Sequence, residues 1–131
     1  GCGSGILSIA ALLLGAKSAF GVDIDKLAVK TALANAAENG FKPPVFDAVS
    51  GDLSENVSGR YNIVIANIVA DVIMKFTPQA APFLKENGVY ITGGIIDSRK
   101  DEVEACFEKN GFDIIEHRNA NGWNVFACKR K

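Results

Sequence analysis

The sequence predicts a doubly wound α/β fold with a mostly parallel sheet and an antiparallel hairpin at its C-terminal end. Segments with strand and helix character alternate along most of the 131 residues, an order typical of parallel sheets whose strands are connected by helices. The last two strand-like segments, 112–117 and 123–129, are separated by a turn at 119–122. A turn this short can join only antiparallel neighbours.

The composition is that of an ordinary globular domain. The hydrophobic fraction is 48% and the charged fraction 22%, and 131 residues are enough to bury a single core. No apolar run is long enough to cross a membrane. With 14 basic and 15 acidic side chains the formal net charge is -1, so no overall field attracts a nucleic-acid backbone.

The few cysteine and histidine residues exclude several kinds of site. Cys2, Cys106 and Cys128 are odd in number and widely spaced, which fits neither a disulfide framework nor the paired spacing of zinc ligands. His117 is the only histidine. We therefore expect no metal site and no Ser/His or Cys/His catalytic pair, and the cytoplasm is the natural compartment.

The first half of the chain begins with a glycine-rich loop at 1–5. The segments that follow are a short apolar helix at 6–14, a strand at 19–23, a helix at 26–39 and a strand at 45–49. Asp25 stands where a helix N-cap is expected.

The second half continues the alternation. Residues 61–66 form an apolar run that is expected to be a strand buried on both faces, ending at Asn67. Pro78 is expected to start or kink a turn, Gly93 and Gly94 to end a strand, and Ser98 to cap a helix. The predicted segments are a helix at 70–76, a strand at 89–92 and a helix at 99–110 before the final hairpin.

The loop at 1–5 has the geometry of a cofactor loop. Gly1, Gly3 and Gly5 are spaced two apart, so the backbone can turn tightly and approach a ligand with no side chain between them. The dinucleotide fingerprint requires a further glycine where Ile6 stands. A ligand without a pyrophosphate therefore fits the loop better.

Two acidic residues lie at or just beyond the predicted ends of neighbouring strands. Asp23 ends the strand about 20 residues after the loop, where an acid binds ribose hydroxyls in doubly wound folds. Its alternative role, as a helix cap, is better filled by Asp25. Asp52 follows the next strand, where it could accept a hydrogen bond from an adenine amine or simply form a turn.

Asn67 is the third candidate. An amide after a strand offers a donor and an acceptor at the carboxyl edge of the sheet. It could hold the amino-acid part of a cofactor, orient a target amine, or cap the helix that follows. Trp123 fits a packing role better than a substrate platform, and Gly93-Gly94 fits a turn better than a ligand loop.

Several motifs together resemble a known family. Residues 1–12, Gly-Cys-Gly-Ser-Gly-Ile-Leu-Ser-Ile-Ala-Ala-Leu, resemble class I methyltransferases, as do Gly-Val-Asp-Ile-Asp at 21–25 and Asn-Ala-Ala-Glu-Asn-Gly at 35–40. Narrower similarity comes from Ile-Ala-Asn-Ile-Val-Ala at 65–70, Gly-Gly-Ile-Ile-Asp at 93–97 and Gly-Trp at 122–123. Over essentially the whole chain, these resemble the PrmA family, methyltransferases of the large-subunit ribosomal protein L-eleven.

The resemblance implies a Rossmann-like fold and an S-adenosylmethionine cofactor. It further implies methylation of protein amines, at the amino terminus and at lysine side chains of that ribosomal protein, and cofactor contacts at Gly1, Asp23 and Asn67. Methyl transfer from a sulfonium depends mainly on positioning, and Asn67, through its side chain or the adjacent backbone carbonyl, is the candidate to orient the amine. No general base is evident in the sequence.

Other functions remain open at this point. A class I methyltransferase acting on RNA, DNA or a small molecule would carry the same motifs. An NAD-dependent oxidoreductase is disfavoured by Ile6, and a non-catalytic adenosylmethionine-binding module would differ only in forming no product.

The position of the glycine loop predicts a missing strand. In this fold a central strand precedes the loop, whereas here the loop opens the chain at Gly1. We therefore expect residues 1–131 to be a segment of a longer protein, with that first strand upstream. Without it, the strands of the segment are expected to split into separate sheets.

Overall fold

The computed structural model describes all residues, 1–131, in two compact units, Gly1–Val57 and Ser58–Lys131. Each unit has its own hydrophobic cluster, in place of the single core expected. None of the helices has the length and apolar content needed to cross a membrane. The strands form two sheets, as expected for these residues.

The first unit is a two-stranded parallel sheet with two helices. The first strand, β1 (Ala19–Asp23), matches the predicted bounds, and Asp25 caps the second helix as predicted, because its Oδ1 accepts from the Leu27 amide at 2.9 Å. The register places Asp23 beside Ser50. The elements are α1 (Ile6–Leu13), β1 (Ala19–Asp23), α2 (Lys26–Glu38) and β2 (Phe46–Ser50).

The cluster of this unit is built from small and branched side chains. Ala32 and Ala36 on α2 and Phe46 on β2 are fully buried, and Ile9 and Leu12 of α1 join the same cluster. The spacing of Ile9 and Leu12, three residues apart, places both on one face of α1. This packing fixes the two helices around the loop that precedes α1.

The second unit is a four-stranded mixed sheet of β3 (Tyr61–Asn67), β4 (Leu84–Ile96), β5 (Phe112–Ala120) and β6 (Trp123–Arg130), in the order β3-β4-β6-β5. β3 and β4 are parallel, β6 is antiparallel to β4, and β5 and β6 form the predicted antiparallel hairpin. The elements are β3 (Tyr61–Asn67), α3 (Ala70–Ala80), β4 (Leu84–Ile96), α4 (Lys100–Lys109), β5 (Phe112–Ala120) and β6 (Trp123–Arg130), with short 3-10 turns at Ala81–Phe83 and Asp97–Arg99.

An aromatic cluster forms the core of the second unit. Tyr90 of β4 is fully buried, and its ring centre lies 5.9, 6.0 and 5.3 Å from those of Phe76, Phe107 and Phe112. The Tyr90 hydroxyl lies 3.2 Å from that of Thr77. Burial raises the pKa of Tyr90 far above its ordinary value, despite that hydrogen bond, so the phenol remains protonated.

Strand β3 differs from its prediction. The sequence predicts burial on both faces, but Ile63 is 52% and Ile65 42% exposed. β3 is an edge strand of its sheet, and only alternate residues, Val64 and Ala66, belong to the core cluster. An apolar run alone does not reveal whether one face or both will be covered.

The predicted end of β4 at Gly93-Gly94 is wrong, because the strand continues to Ile96. The two glycines lie at an irregularity in the pairing with β6, which shifts between Thr92 and Ile95. Gly94 has a φ of 79°. Glycine permits such a bulge without ending the strand.

Two helix predictions also need correction. Ser98 does not cap α4, because it lies inside the 3-10 turn that precedes the helix, and the N-cap position is occupied by Arg99. Pro78 does not start a new turn, because it lies within α3. The alternative, a kink at Pro78, stays a prediction. A proline leaves the carbonyl four residues earlier without its helical donor, and here the Cys106 thiol approaches that oxygen, on Met74, at 3.7 Å.

Candidate functional site

The glycine-rich loop is held against the end of β1. The Cys2 amide donates to the Val22 carbonyl at 2.9 Å, and the Gly5 amide donates back to the Cys2 carbonyl at 2.9 Å. Gly3 and Gly5 have φ angles of 53° and 82°, a region that glycine enters without steric cost. The loop is therefore a tight turn that leads directly into α1.

Close packing on one side of the loop requires small residues. A β-carbon added to Gly5 would lie 3.1 Å from that of Ala32 on α2. One added to Gly21 on β1 would lie 3.0 Å from the β-carbon of Cys2. A β-carbon on Gly3 would meet no atom within 4 Å, so this part of the loop is open to a ligand.

Asp23 connects the loop to the start of α2. Its Oδ2 accepts from the Gly3 amide at 2.9 Å, and its Oδ1 accepts from the Asp25 amide at 3.0 Å. Partial burial by itself raises the pKa of Asp23, but the amides of Asp25 and Gly3 lower it more, so the net pKa lies below its ordinary value. The carboxylate is thus ionised at neutral pH.

This carboxylate retains the capacity to bind a diol. A carboxylate has about four acceptor positions, and two of them are used by backbone amides. The remaining lone pairs suit two adjacent hydroxyl groups, such as those of a ribose. The open loop beside Gly3 and the ionised Asp23 therefore fit a nucleoside cofactor.

Asp52 lies two residues beyond the end of β2. Its side chain is exposed, and its carbonyl accepts from the Glu55 amide at 3.0 Å within a turn. The parallel register puts the ends of β1 and β2 side by side, with Asp23 opposite Ser50. Asp52 therefore belongs to the same edge of the first unit as Asp23, and it takes part in a turn as well.

Asn67 lies at the end of β3 in the second unit. It does not cap α3, because the N-cap position is Val69 and no side chain caps that helix. Its exposed side-chain amide takes part in none of the hydrogen bonds of the chain. Both polar atoms of that amide are therefore available to a ligand.

Gly93, beside Asn67, and Trp123, paired near the end of β4, were both predicted from the sequence to have only structural roles. Gly93 is paired with Asn67 across the parallel strands, and a β-carbon on Gly93 would lie 3.0 Å from Oδ1 of Asn67. Trp123, expected to pack, is 54% exposed and is paired with Ile96 near the end of β4. The close approach of Asn67 could have been inferred from the two consecutive glycines, because glycine within a strand also marks places where another segment comes close.

Comparison with known proteins gives one consistent family. The sequence profile of the family "Ribosomal protein L11 methyltransferase (PrmA)" matches residues 1–131. The Ribosomal protein L11 methyltransferase of Bacillus pumilus is 40% identical over 130 residues, which cover 99% of this chain and 42% of that protein. The chain thus spans about two fifths of the length of this relative.

Two solved structures are similar to this chain over its whole length. The ribosomal protein L11 methylase of Lactobacillus delbrueckii subsp. bulgaricus superposes with a TM-score of 0.95 at 35% identity, covering 100% of this chain and 67% of that one. Magnesium protoporphyrin IX methyltransferase of Synechocystis, solved with bound SAM, shares the fold, with a TM-score of 0.82 at 21% identity over 100% of this chain and 67% of that one. Because the family profile covers every residue, this chain belongs to the ribosomal protein L11 methyltransferase (PrmA) family.

Proposed function

We propose that residues 1–131 form the S-adenosylmethionine-binding domain of a methyltransferase that acts on ribosomal protein L11. The acceptors are protein amines, at the amino terminus and at lysine side chains, and the reaction takes place in the cytoplasm, where ribosomes are assembled. Family membership over the whole chain carries this proposal. The open glycine loop beside an ionised carboxylate is consistent with it.

The first unit is the proposed holder of the nucleoside part of the cofactor. Asp23 accepts from the ribose hydroxyls, and Gly1, Gly3 and Gly5 allow the backbone to approach the ligand. Asp52, at the same edge, accepts from the adenine amine. In doubly wound folds ligands bind at the carboxyl ends of the strands, which is where Asp23 lies and which Asp52 follows in this unit.

Asn67 is the proposed catalytic residue. Its uncommitted amide can contact the cofactor's amino-acid part and accept a hydrogen bond from the target amine. When bound, S-adenosylmethionine supplies a methyl group already activated by its sulfonium, so orientation is the main task of the protein. Asn67 is neutral, and unlike a carboxylate it does not stabilise the unreactive ammonium form of the acceptor.

Methyl transfer with defined acceptors tests the proposal. The complete natural protein is incubated with methyl-labelled S-adenosylmethionine, purified ribosomal protein L11 and ribosomal RNA, and modified positions are located by mass spectrometry. We expect label at the amino terminus and lysines of L11. Label in the RNA alone would show that RNA is the substrate in place of L11. Cofactor binding without any methyl transfer would indicate a non-catalytic adenosylmethionine-binding module.

A matched pair of variants tests the cofactor site. Asp23→Asn removes the carboxylate that faces the loop, whereas Asp25→Asn neutralises an acid two residues away and keeps a good helix cap. A hydrogen bond to a charged group contributes about 1.5 to 3 kcal/mol. We expect Asp23→Asn to weaken binding at least about tenfold and Asp25→Asn to leave it unchanged, as measured by calorimetry.

A further inference from the structure

The side chain of Asn67 lies against two glycines of the neighbouring strand. β-carbons placed on Gly93 and Gly94 would lie 3.0 and 3.1 Å from Oδ1 of Asn67. Separations below 3.4 Å are tighter than most real β-carbon contacts. The absence of side chains at both positions therefore creates the space that the Asn67 amide occupies.

β-carbons added to the two glycines would meet different atoms of residues 67 and 68. A β-carbon on Gly94 would also lie 2.8 Å from the Ile68 carbonyl oxygen, so the backbone itself would have to move. Gly94 has a positive φ as well, whereas Gly93 has not. At Gly93 the other close atoms are Cγ of Asn67 and, at an ordinary 3.7 Å, Cγ2 of Val125.

Hydrogen bonds centred on the buried side chain of Asn124 connect β6 to the residues that directly follow these glycines. Asn124 of β6 is fully buried, and its Nδ2 donates to the Ile95 carbonyl at 3.1 Å and to Oδ1 of Asp97 at 2.9 Å. Nδ2 of Asn119 donates to Oδ1 of Asn124 at 3.0 Å and to the same Asp97 oxygen at 2.7 Å. These bonds join Ile95 and Asp97, which follow the bulge at Gly94, to side chains of β5 and β6.

We infer that Gly93 and Gly94 are positioning residues for the Asn67 amide, and that the Asn124 network keeps them in place. The glycines at the bulge in β4 leave room for the Asn67 side chain at the end of β3, where its polar atoms make no hydrogen bond. Oδ1 therefore stays available to accept a hydrogen bond from the acceptor amine. This inference rests on the proposed catalytic role of Asn67 and adds the residues that place it.

Gly93→Ala is the selective test, because its added methyl group presses on the Asn67 amide and on no other atom closer than 3.7 Å. The amide must give way by a few tenths of an ångström, and small misplacements of a reacting group are costly. In the complete natural protein we expect kcat for L11 methylation to fall about tenfold. The melting temperature should change little.

A double-mutant cycle separates positioning from general structure. Asn67→Ala alone is expected to lower turnover clearly while the melting temperature changes little. Once Asn67 is replaced by alanine, Oδ1 is gone, and Gly93→Ala should cause no further loss. An equal fall in kcat in both backgrounds, or no fall in the wild-type background, would overturn the inference.

A second readout does not depend on activity. The side-chain amide of Asn67 gives its own pair of signals in a proton–nitrogen spectrum, identified by their loss in Asn67→Ala. We expect Gly93→Ala to shift these signals, and unshifted signals would overturn the inference. If the wild-type protein transfers no methyl group, the proposed function fails, while this spectrum still decides whether Gly93 places Asn67.

Discussion

At the scale of single residues, the hydrogen-bond state of a side chain indicates whether it is structural or available. Asp23 shares each carboxylate oxygen with one backbone amide and retains further lone pairs. Asp25 has the same functional group but caps α2. The Asn67 side chain has no hydrogen bond and caps no helix. The side chains of Asp23, Asp25 and Asn67 thus differ in how many of their hydrogen-bonding positions the protein itself uses.

The lowered pKa of Asp23 predicts a pH dependence. A carboxylate whose pKa is lowered on folding stabilises the protein above its unfolded pKa, and this contribution is lost as the pH falls through the lowered folded value. The side chain introduced by Asp23→Asn has a single acceptor oxygen, so it replaces only part of this interaction. We therefore expect wild type to exceed Asp23→Asn in free energy of unfolding near neutral pH, with the difference shrinking below about pH 4.

Urea denaturation of both proteins at a series of pH values measures this difference. Asp25→Asn serves as the control, since its substituted amide still accepts from the Leu27 amide. A wild-type advantage that is constant from neutral to acidic pH would contradict the assignment. It would mean that the amides of Gly3 and Asp25 do not favour the ionised form.

Thr92 provides a second residue-scale prediction. Its side chain is fully buried, and Oγ1 has no hydrogen-bond partner. An unpaired buried hydroxyl costs about 1 to 3 kcal/mol. Replacement by valine keeps the branched shape and removes the polar atom, so we expect Thr92→Val to raise the free energy of unfolding by about 1 kcal/mol.

Thr77→Val is the matched control for Thr92→Val. Thr77 is equally buried, but its hydroxyl donates to the Ile73 carbonyl at 2.7 Å and lies 3.2 Å from the Tyr90 hydroxyl. Its replacement should lower the free energy of unfolding by about 1 kcal/mol. Changes of the same sign in both variants, measured by urea denaturation, would show that the unpaired hydroxyl is not what distinguishes them.

At the scale of elements, α3 and β4 each contain an irregular position where a neighbouring element supplies a contact that the regular backbone pattern lacks. α3 continues through Pro78, and the carbonyl that proline leaves unpaired, on Met74, is approached by the Cys106 thiol of α4. β4 continues through Gly93 and Gly94, and β6 pairs with it on both sides of the bulge. Each element is longer than its sequence pattern suggested, because a neighbouring element compensates for the local defect.

The hairpin of β5 and β6 is the opposite case, because its local sequence was sufficient to predict it. β5 and β6 are connected by Asn121 and Gly122, with φ angles of 53° and 85°. Asn-Gly is the preferred pair for a two-residue turn in which both central residues have positive φ. The strands extend to this turn from both sides, which makes it shorter than the 119–122 segment predicted.

At the scale of the whole molecule, the chain forms two units with separate clusters. In the second unit, β3 is at the edge of the sheet, and Ile63 and Ile65 are 52% and 42% exposed. An apolar edge strand with unpaired backbone groups favours association with other chains. We expect residues 1–131, expressed alone, to self-associate as the concentration rises.

Sedimentation velocity can test whether β3 is responsible. Replacing Ile63 and Ile65 together by threonine keeps β-branched side chains in the strand and lowers its hydrophobicity, and should reduce association. Leu14→Gln is the control, because Leu14 is 88% exposed but lies at the end of α1, away from a sheet edge. If the control reduces association as much as the double variant, exposed hydrophobicity in general is the cause.

The sequence by itself determined the order of elements, the bounds of β1, the cap of α2 and the tight hairpin, because each depends on neighbouring residues. It also indicated the candidates Asp23 and Asn67. Only the tertiary structure decided that β3 is half exposed, that β4 continues through Gly93-Gly94, and that those glycines make room for Asn67. These features depend on contacts between strands distant in sequence, which no local pattern of side chains encodes.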